Sequence, residues 1–397
     1  MFNNKNRKQR TGLIFNILMC AVTAISSLPS FASEKTKQQG PNFSWDTVPV
    51  YAHFGATGGM NDEEIEFIAT HYDFIALEKN HGAKLHKGMS EPETFSDAAK
   101  IKAINPDAHI LFYWNLLLDY PMYKMSKQRK SPDDWFIHTI DGKLHTKGKM
   151  ALKRYDLSNT EWQNWWVNAA KEALDKSNMD GVFIDAIPQI GLKADARIKE
   201  WGEEKFNAIE NGINQTLAKL QKALPGDKTI IYNGIRSIPN GWQHGGNKYL
   251  AHTSGNIIEH FNVFQSQAPQ QIAQDLEGMM QASKAGKITI LKTWPGFTWL
   301  DKEMLKRPKA ELQKIAREKI TFPLAAFLIA AGEKSYFNYT WGYRENHGAY
   351  DWYSEFDKKL GAPLSDAVQE GFEYTREFKH ASVYLNIKDK TAKIDWH

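Results

Sequence analysis

The chain is almost without cysteine. Its 397 residues include one, Cys20, which leaves no disulfide framework and no thiolate cluster for zinc or redox chemistry. The thirteen histidines never fall into HExxH or another metal-ligand spacing, so neither a metal nor a cofactor is expected. No G-x-S-x-G elbow occurs, which argues against an α/β-hydrolase, and there is no Walker motif. The one glycine-rich turn after an early strand, GATGG (55–59), lacks the G-x-G-x-x-G spacing of dinucleotide sites. Beyond residue 26 no apolar run is long enough to span a membrane. Internal repeats and low-complexity segments are absent.

Charge of one sign is also scarce. The formal charge is +4, and four of the cations, Lys5, Arg7, Lys8 and Arg10, sit together at the start. They are followed by a mostly apolar stretch (12–26) and then by Ser30-Phe31-Ala32. This order predicts a secretory signal peptide over 1–32, cleaved after Ala32, and hence a periplasmic or extracellular protein. Met19 stands where a small residue would precede a lipidated cysteine, which argues against an anchor on Cys20. Removing 1–32 takes away those four cations and no acid, so the expected mature charge is zero. Basicity therefore gives no reason to expect nucleic acid as a partner.

What the sequence does have is aromatics, with 13 Trp, 15 Tyr and 21 Phe. Many stand beside polar residues, as in FYWN, EWQNWW, KTWPGFTW and YFNYTWGY. Such faces suit sugar rings, although core packing is the ordinary use of an aromatic. A polar linker is expected over 33–47. From 48 onward, eight β-rich runs (48–55, 72–80, 109–115, 181–187, 229–234, 256–261, 288–296 and 336–341) alternate with helical patterns. Asn61 and Thr160 read as helix caps, 196–224 as one long helix, and Pro323 as a break within 308–332. Alternation of this kind predicts an α/β fold, a (β/α)8 TIM barrel over 48–350, with a doubly wound sheet as the alternative. A C-terminal helix and β-hairpin over 351–397 are expected to pack on it.

In such a barrel the strands end at the active site, and here those ends are polar. They are His53, Glu78 with Lys79, Asn115 after Trp114, Asp185, Asn233 with Arg236 following, Glu259 with His260, Lys292 with Trp294, and Asn338 with Tyr343 beyond. Asp185 closes the apolar run DGVFIDAI, where an unpaired carboxylate would be costly. It shares a barrel layer with Glu259, two strands away. Two carboxylates across a barrel mouth are the equipment of glycosidic cleavage, one as nucleophile or base and the other as acid. The acid needs a raised pKa, which apolar Ile257, Ile258 and Phe261 could supply. The structural alternatives are a loop cap for Asp185 and an ion pair of Glu259 with Lys292 or Arg236. Glu78, Trp114, Asn115, Asn233, Arg236, Trp294 and Tyr343 are the expected substrate-binding residues, with Arg236 suited to an acidic substituent.

The segments DWFIHTIDGK, YDLSNTEWQNWWV, MDGVFIDAI and NIIEHF occur in this order, followed by LGAPLSDAVQEGFEYTREFKHASVYLNI. The set resembles the hypothetical (β/α)8 glycosyl hydrolases similar to the endo-α-1,4-polygalactosaminidase group. The placement of acids on strands four and six is like that of the α-galactosidase clan. The resemblance implies a barrel glycosidase with Asp185 as nucleophile, Glu259 as acid/base and net retention, acting on a poly- or oligosaccharide. A non-catalytic carbohydrate-binding barrel, or a lyase acting on acidic sugars through Lys292 or a tyrosine, are the alternatives.

Overall fold

The computed structural model describes residues 40–127, 131–237 and 245–397. The predicted signal peptide, 1–32, lies outside the described residues. Eight parallel strands form one sheet in chain order: β1 (Ala52–Phe54), β2 (Phe74–Leu77), β3 (His109–Asn115), β4 (Gly181–Asp185), β5 (Thr229–Asn233), β6 (Gly255–Ile258), β7 (Ile288–Thr293) and β8 (Ser335–Tyr339). The sheet closes on itself through a parallel bridge between Val50 and Phe337. There the Tyr51 N–H donates to the Phe337 carbonyl and the Phe337 N–H to the Pro49 carbonyl, each at 2.8 Å. The expected TIM barrel is therefore the observed fold.

Its helical layer contains α1 (Asp62–His71), α2 (Glu91–Ile104), α3 (Thr160–Asp175), α4 (Glu203–Ala223), α5 (Pro269–Lys284), α6 (Lys309–Lys319) and α7 (Thr321–Ala330). Asn61 caps α1 in a reciprocal box with Glu64, both bonds at 2.9 Å. The α3 cap is Asn159, one residue before the expected Thr160, accepting from the N–H groups of Glu161 and Trp162. The expected long helix over 196–224 is two helices, Ala194–Trp201 and α4. Gly202 separates them at φ +84°, a conformation glycine adopts without steric cost. The break between α6 and α7 falls at Ile320, three residues before Pro323. Proline has no N–H to offer the carbonyl four residues back, so the helix cannot run through. The link from β5 to β6 carries, among the described residues, only a 3-10 turn, Asn247–His252.

Two terminal expectations change. Residues 40–47 of the expected linker pack on the barrel floor. Phe43 and Trp45 meet edge to face at 4.9 Å, Phe43 reaches Tyr336 and Trp45 reaches Phe378. The tail holds a four-stranded antiparallel sheet, β9 (Val368–Glu370), β10 (Glu373–Phe378), β11 (Ala381–Asn386) and β12 (Thr391–Trp396), rather than a helix and a hairpin. Its one helical turn is Ser354–Asp357. The alternation of β10, with Tyr374, Arg376 and Phe378 buried between exposed neighbours, is a strand signal. Helix α7 is buried on nearly every side because it packs against this sheet as well as the barrel. Arg376 secures the junction by donating to the carbonyls of Leu328, Ile329 and Ala331 at the α7 C-terminus.

Asp180 opens β4. Its carboxylate accepts from the Ile110 N–H at 2.9 Å and pairs with Lys102 at 2.8 Å. Asp180→Ala leaves that strand donor without a partner. The expected loss is roughly 1–3 kcal/mol, seen as a lower denaturant midpoint at unchanged slope.

Candidate active site

The alternation of β3 sets the geometry. Tyr113 and Asn115 point into the barrel, and Trp114 between them points out. Across the pair Asn115↔Asp185, the Asp185 carboxylate receives the Tyr113 hydroxyl and the Asn115 amide on one oxygen, the latter at 3.2 Å. The orientation of Asn115 is fixed, because its own oxygen accepts from the N–H groups of Leu117 and Leu118. The other Asp185 oxygen accepts from Asn233 Nδ2 at 2.8 Å, and the same nitrogen donates to Glu259 at 2.6 Å. The two carboxylate oxygens therefore lie no farther apart than the two bonds together, about 5.4 Å.

Local backbone shape presents these groups. Ala186, directly after Asp185, has φ +83°, Asn80 after Lys79 has +75°, and Asn262 and Phe264 after His260 have +54° and +52°. Side chains other than glycine seldom take such angles, which cost of order 1–3 kcal/mol each and gather at functional sites. Here they follow β2, β4 and β6, the strands that deliver Glu78, Asp185 and Glu259.

The surroundings divide the acids. Burial pushes the Asp185 carboxyl up, the charge of Glu259 adds to this, and Lys79 and the Tyr113 hydroxyl oppose it. Burial also pushes Glu259 up, but His260, His53 and Tyr343 outweigh it and hold the carboxyl well below its ordinary value. This corrects the expectation that Ile257, Ile258 and Phe261 leave Glu259 with a raised pKa. His260 Nε2 lies 3.1 Å from Glu259 Oε2. Glu78 pairs with Lys79 at 2.8 Å and faces His53 at 3.4 Å. No ion pair joins Glu259 to Lys292 or Arg236 among the described residues. Lys292 instead donates to Asn338 at 2.9 Å and Thr340 at 2.6 Å, and burial pulls its ammonium down to about 7.

A pocket of about 240 Å³ covers this constellation. Its lining includes Asp185, Glu259, Asn233, Arg236, Glu78 and Tyr343 among the residues expected from sequence. Asn115 stands just behind Asp185. Trp294 is also behind the wall, its indole donating to the Glu259 carbonyl at 3.3 Å and its ring 4.1 Å from Lys292 Nζ. Trp114 does not join the site. It lies under α3, bonded to the Trp166 carbonyl, as the strand alternation requires. Sequence reasoning missed Tyr113, Tyr120, Gln189 and Trp299. Period-two counting back from Asn115 would have found Tyr113, and Trp299 closes the KTWPGFTW cluster. Among the described residues no group of three or more His, Cys, Asp or Glu is placed to hold a metal, and no helix is long and apolar enough to cross a membrane.

Comparison with known proteins bears on this geometry. The profile of hypothetical glycosyl hydrolase family 15 matches residues 102–382. The chain belongs to that family. The class expected from sequence, a glycoside hydrolase, is thus the class of its family. No curated protein matches the sequence. Among solved structures, similarity extends to a noncanonic maltogenic α-amylase from Thermotoga neapolitana (10% identity, 86% of each chain, TM-score 0.48). It also extends to a GH36 α-galactosidase from Geobacillus stearothermophilus (9% identity, 88% of this chain and 48% of that one, TM-score 0.43).

The raised Asp185 carboxyl has a thermodynamic consequence. The folded state binds this proton more tightly than the unfolded chain, so stability falls as pH rises from the ordinary aspartate range, near 4, through the folded value. Asp185→Asn removes the buried charge. The variant is expected to melt higher than wild type at pH 7, with the gain shrinking as pH falls through the folded value of Asp185 and gone by about pH 4, as measured by calorimetry across pH.

Proposed function

We propose that the protein is a retaining glycoside hydrolase of poly- or oligosaccharides, with Asp185 as nucleophile and Glu259 as acid/base. The observation that carries the reading is the single Asn233 nitrogen bonded to both carboxylates. It limits the separation of the bonded oxygens to about 5.4 Å at most, short of the roughly 6.5–9.5 Å that admits a water for inversion and compatible with the roughly 5–5.5 Å of retaining enzymes. Asp185 is suited to attack, because Asn115 and Asn233 can only donate to it and so favour its charged form. Glu259 protonates the leaving oxygen and then activates water, with His260 Nε2 3.1 Å from its carboxylate. Trp299 and Tyr343, rings 4.9 Å apart, offer faces for a sugar ring.

A second reading exchanges the two roles. The upward push on Asp185 and the downward pull on Glu259 favour it. A lyase working through Lys292 is disfavoured, since that ammonium is fully buried and engaged by Asn338 and Thr340. A binding-only barrel leaves the shared hydrogen bond between the carboxylates, and the strained backbone that follows them, without a purpose. The closer kinship with the endo-α-1,4-polygalactosaminidase group is proposed for the strand plan only. Residues 1–32 support export to the periplasm or beyond.

A polysaccharide panel read by product mass identifies a substrate. On it, Asp185→Ala and Glu259→Ala should each lower kcat by about 10²–10⁴-fold or more without loss of fold. Added azide decides the roles. Rescue of Asp185→Ala should give a glycosyl azide of inverted configuration, and rescue of Glu259→Ala one of retained configuration. The opposite pattern establishes the exchanged roles, and near wild-type turnover in either variant removes that residue from the chemistry.

A further inference from the structure

Arg236 is a pocket cation that makes no direct ion pair among the described residues, although Asp275 and Glu259 lie near enough to act on it. It is 4% exposed and lines the pocket beside Asn233 and Glu259. Its bonds go to neutral oxygens, Nε to Ser266 Oγ at 3.3 Å and Nη2 to Gln265 Oε1 at 3.2 Å. The nearby carboxylates are engaged elsewhere, Glu259 by His260 and Asn233, and Asp275 by the Ser237 N–H at 2.5 Å. Lys79, the neighbouring pocket cation, is neutralised by Glu78. Nη1 of Arg236 makes no hydrogen bond among the described residues and is not among the buried atoms lacking one, so this edge of the guanidinium is accessible beside the pocket it lines. A buried charge held by neutral partners alone is costly, and a bound anion offsets that cost.

A second observation lies across the pocket. Lys147, on the two-residue hairpin strand Thr146–Lys147, is exposed and bonds Gln189, which lines the pocket. Near it, Arg154 is 1% exposed with Nη1 buried and unpartnered, and it shares His145 with Arg197. One carboxylate, Glu200, serves this group, at 2.6 Å from Arg197. Cationic side chains thus stand on both flanks of the carboxylate pair, Arg236 on one and Lys147 with Arg154 and Arg197 on the other, which favours the approach of an anionic ligand.

We infer that the sugar bound at this site carries an oxyanion, the carboxylate of a uronic acid or a sulfate ester, received by the open edge of Arg236, with Lys147 attracting further anionic units at the rim. The planar guanidinium matches such groups in a way an ammonium does not. The inference rests on the proposed sugar site and deepens it. It also separates the substrate from polygalactosamine, whose amine would meet a cation.

Calorimetric titration of the full chain tests it, with galacturonate, galactose 6-sulfate and galactose, and with their glucose counterparts. At least one anion should bind about tenfold or more tightly than its neutral partner, and about 0.5 M salt should reduce the difference. Preference for the uronate or the sulfate names the source of the charge. Arg236→Gln should remove the selectivity between anionic and neutral sugars, with Arg236→Lys restoring part of it. Equal binding of neutral and anionic sugars, no binding of either, or selectivity that survives Arg236→Gln overturns the inference. If Arg236→Gln fails to fold, the salt response of wild type decides. Anion-selective binding with no hydrolysis across the panel sinks the proposed activity alone, whereas hydrolysis confined to neutral glycans sinks this inference alone.

Discussion

One amide nitrogen, Nδ2 of Asn233, stands between two buried carboxylates, and the site depends on it. Two negative charges about 5 Å apart repel by on the order of 3 kcal/mol at an effective dielectric near 20. Each hydrogen bond to a charged group returns roughly 1.5–3 kcal/mol, so a shared donor makes the arrangement tolerable without neutralising it. A cation in its place would lower the pKa of both acids. A neutral donor leaves the charge of one acid acting on the other, the arrangement on which the proposed two-step displacement relies.

The barrel supplies that placement through strand order. Asp185 and Glu259 arrive on β4 and β6 and Asn233 on β5 between them, so the bridge follows from neighbouring strands in register. On the other side, β3 brings Tyr113 and Asn115 against Asp185 from one face of a single strand. The three elements behind this layer are rigid for separate reasons. Helix α3 is locked to β3 by the paired indoles of Trp114 and Trp166, each donating to a backbone carbonyl. Helix α7 is enclosed between the barrel and the C-terminal sheet. The floor is sealed by Phe43, Trp45 and Tyr336.

Much of this was legible in the sequence, because parallel strands buried on both faces leave few ways to place a terminal carboxylate. DGVFIDAI announced Asp185, and the spacing of the runs announced that Glu259 would share its layer. The failures have physical sources. Trp114 stands next to Asn115 at the end of β3, yet adjacent strand residues face opposite ways, so the expected substrate residue packs under α3 instead. The pKa of Glu259 was judged from the apolar residues next to it in sequence. It is set instead by His260 and by His53 and Tyr343, which come from the far ends of the chain. Residues 40–47 looked like a linker because polar spacing concealed two aromatics that reach the floor. The strand pattern of β10 is present, but Arg376 on its buried face breaks the apolar alternation.

The central claim is that the carboxylates are held close enough for direct attack and too close for an interposed water. Proton NMR of the first product formed from a substrate of known anomeric configuration tests it most directly. The account predicts that the new hemiacetal first appears in the configuration of the substrate and mutarotates afterwards. First appearance of the opposite anomer would contradict it.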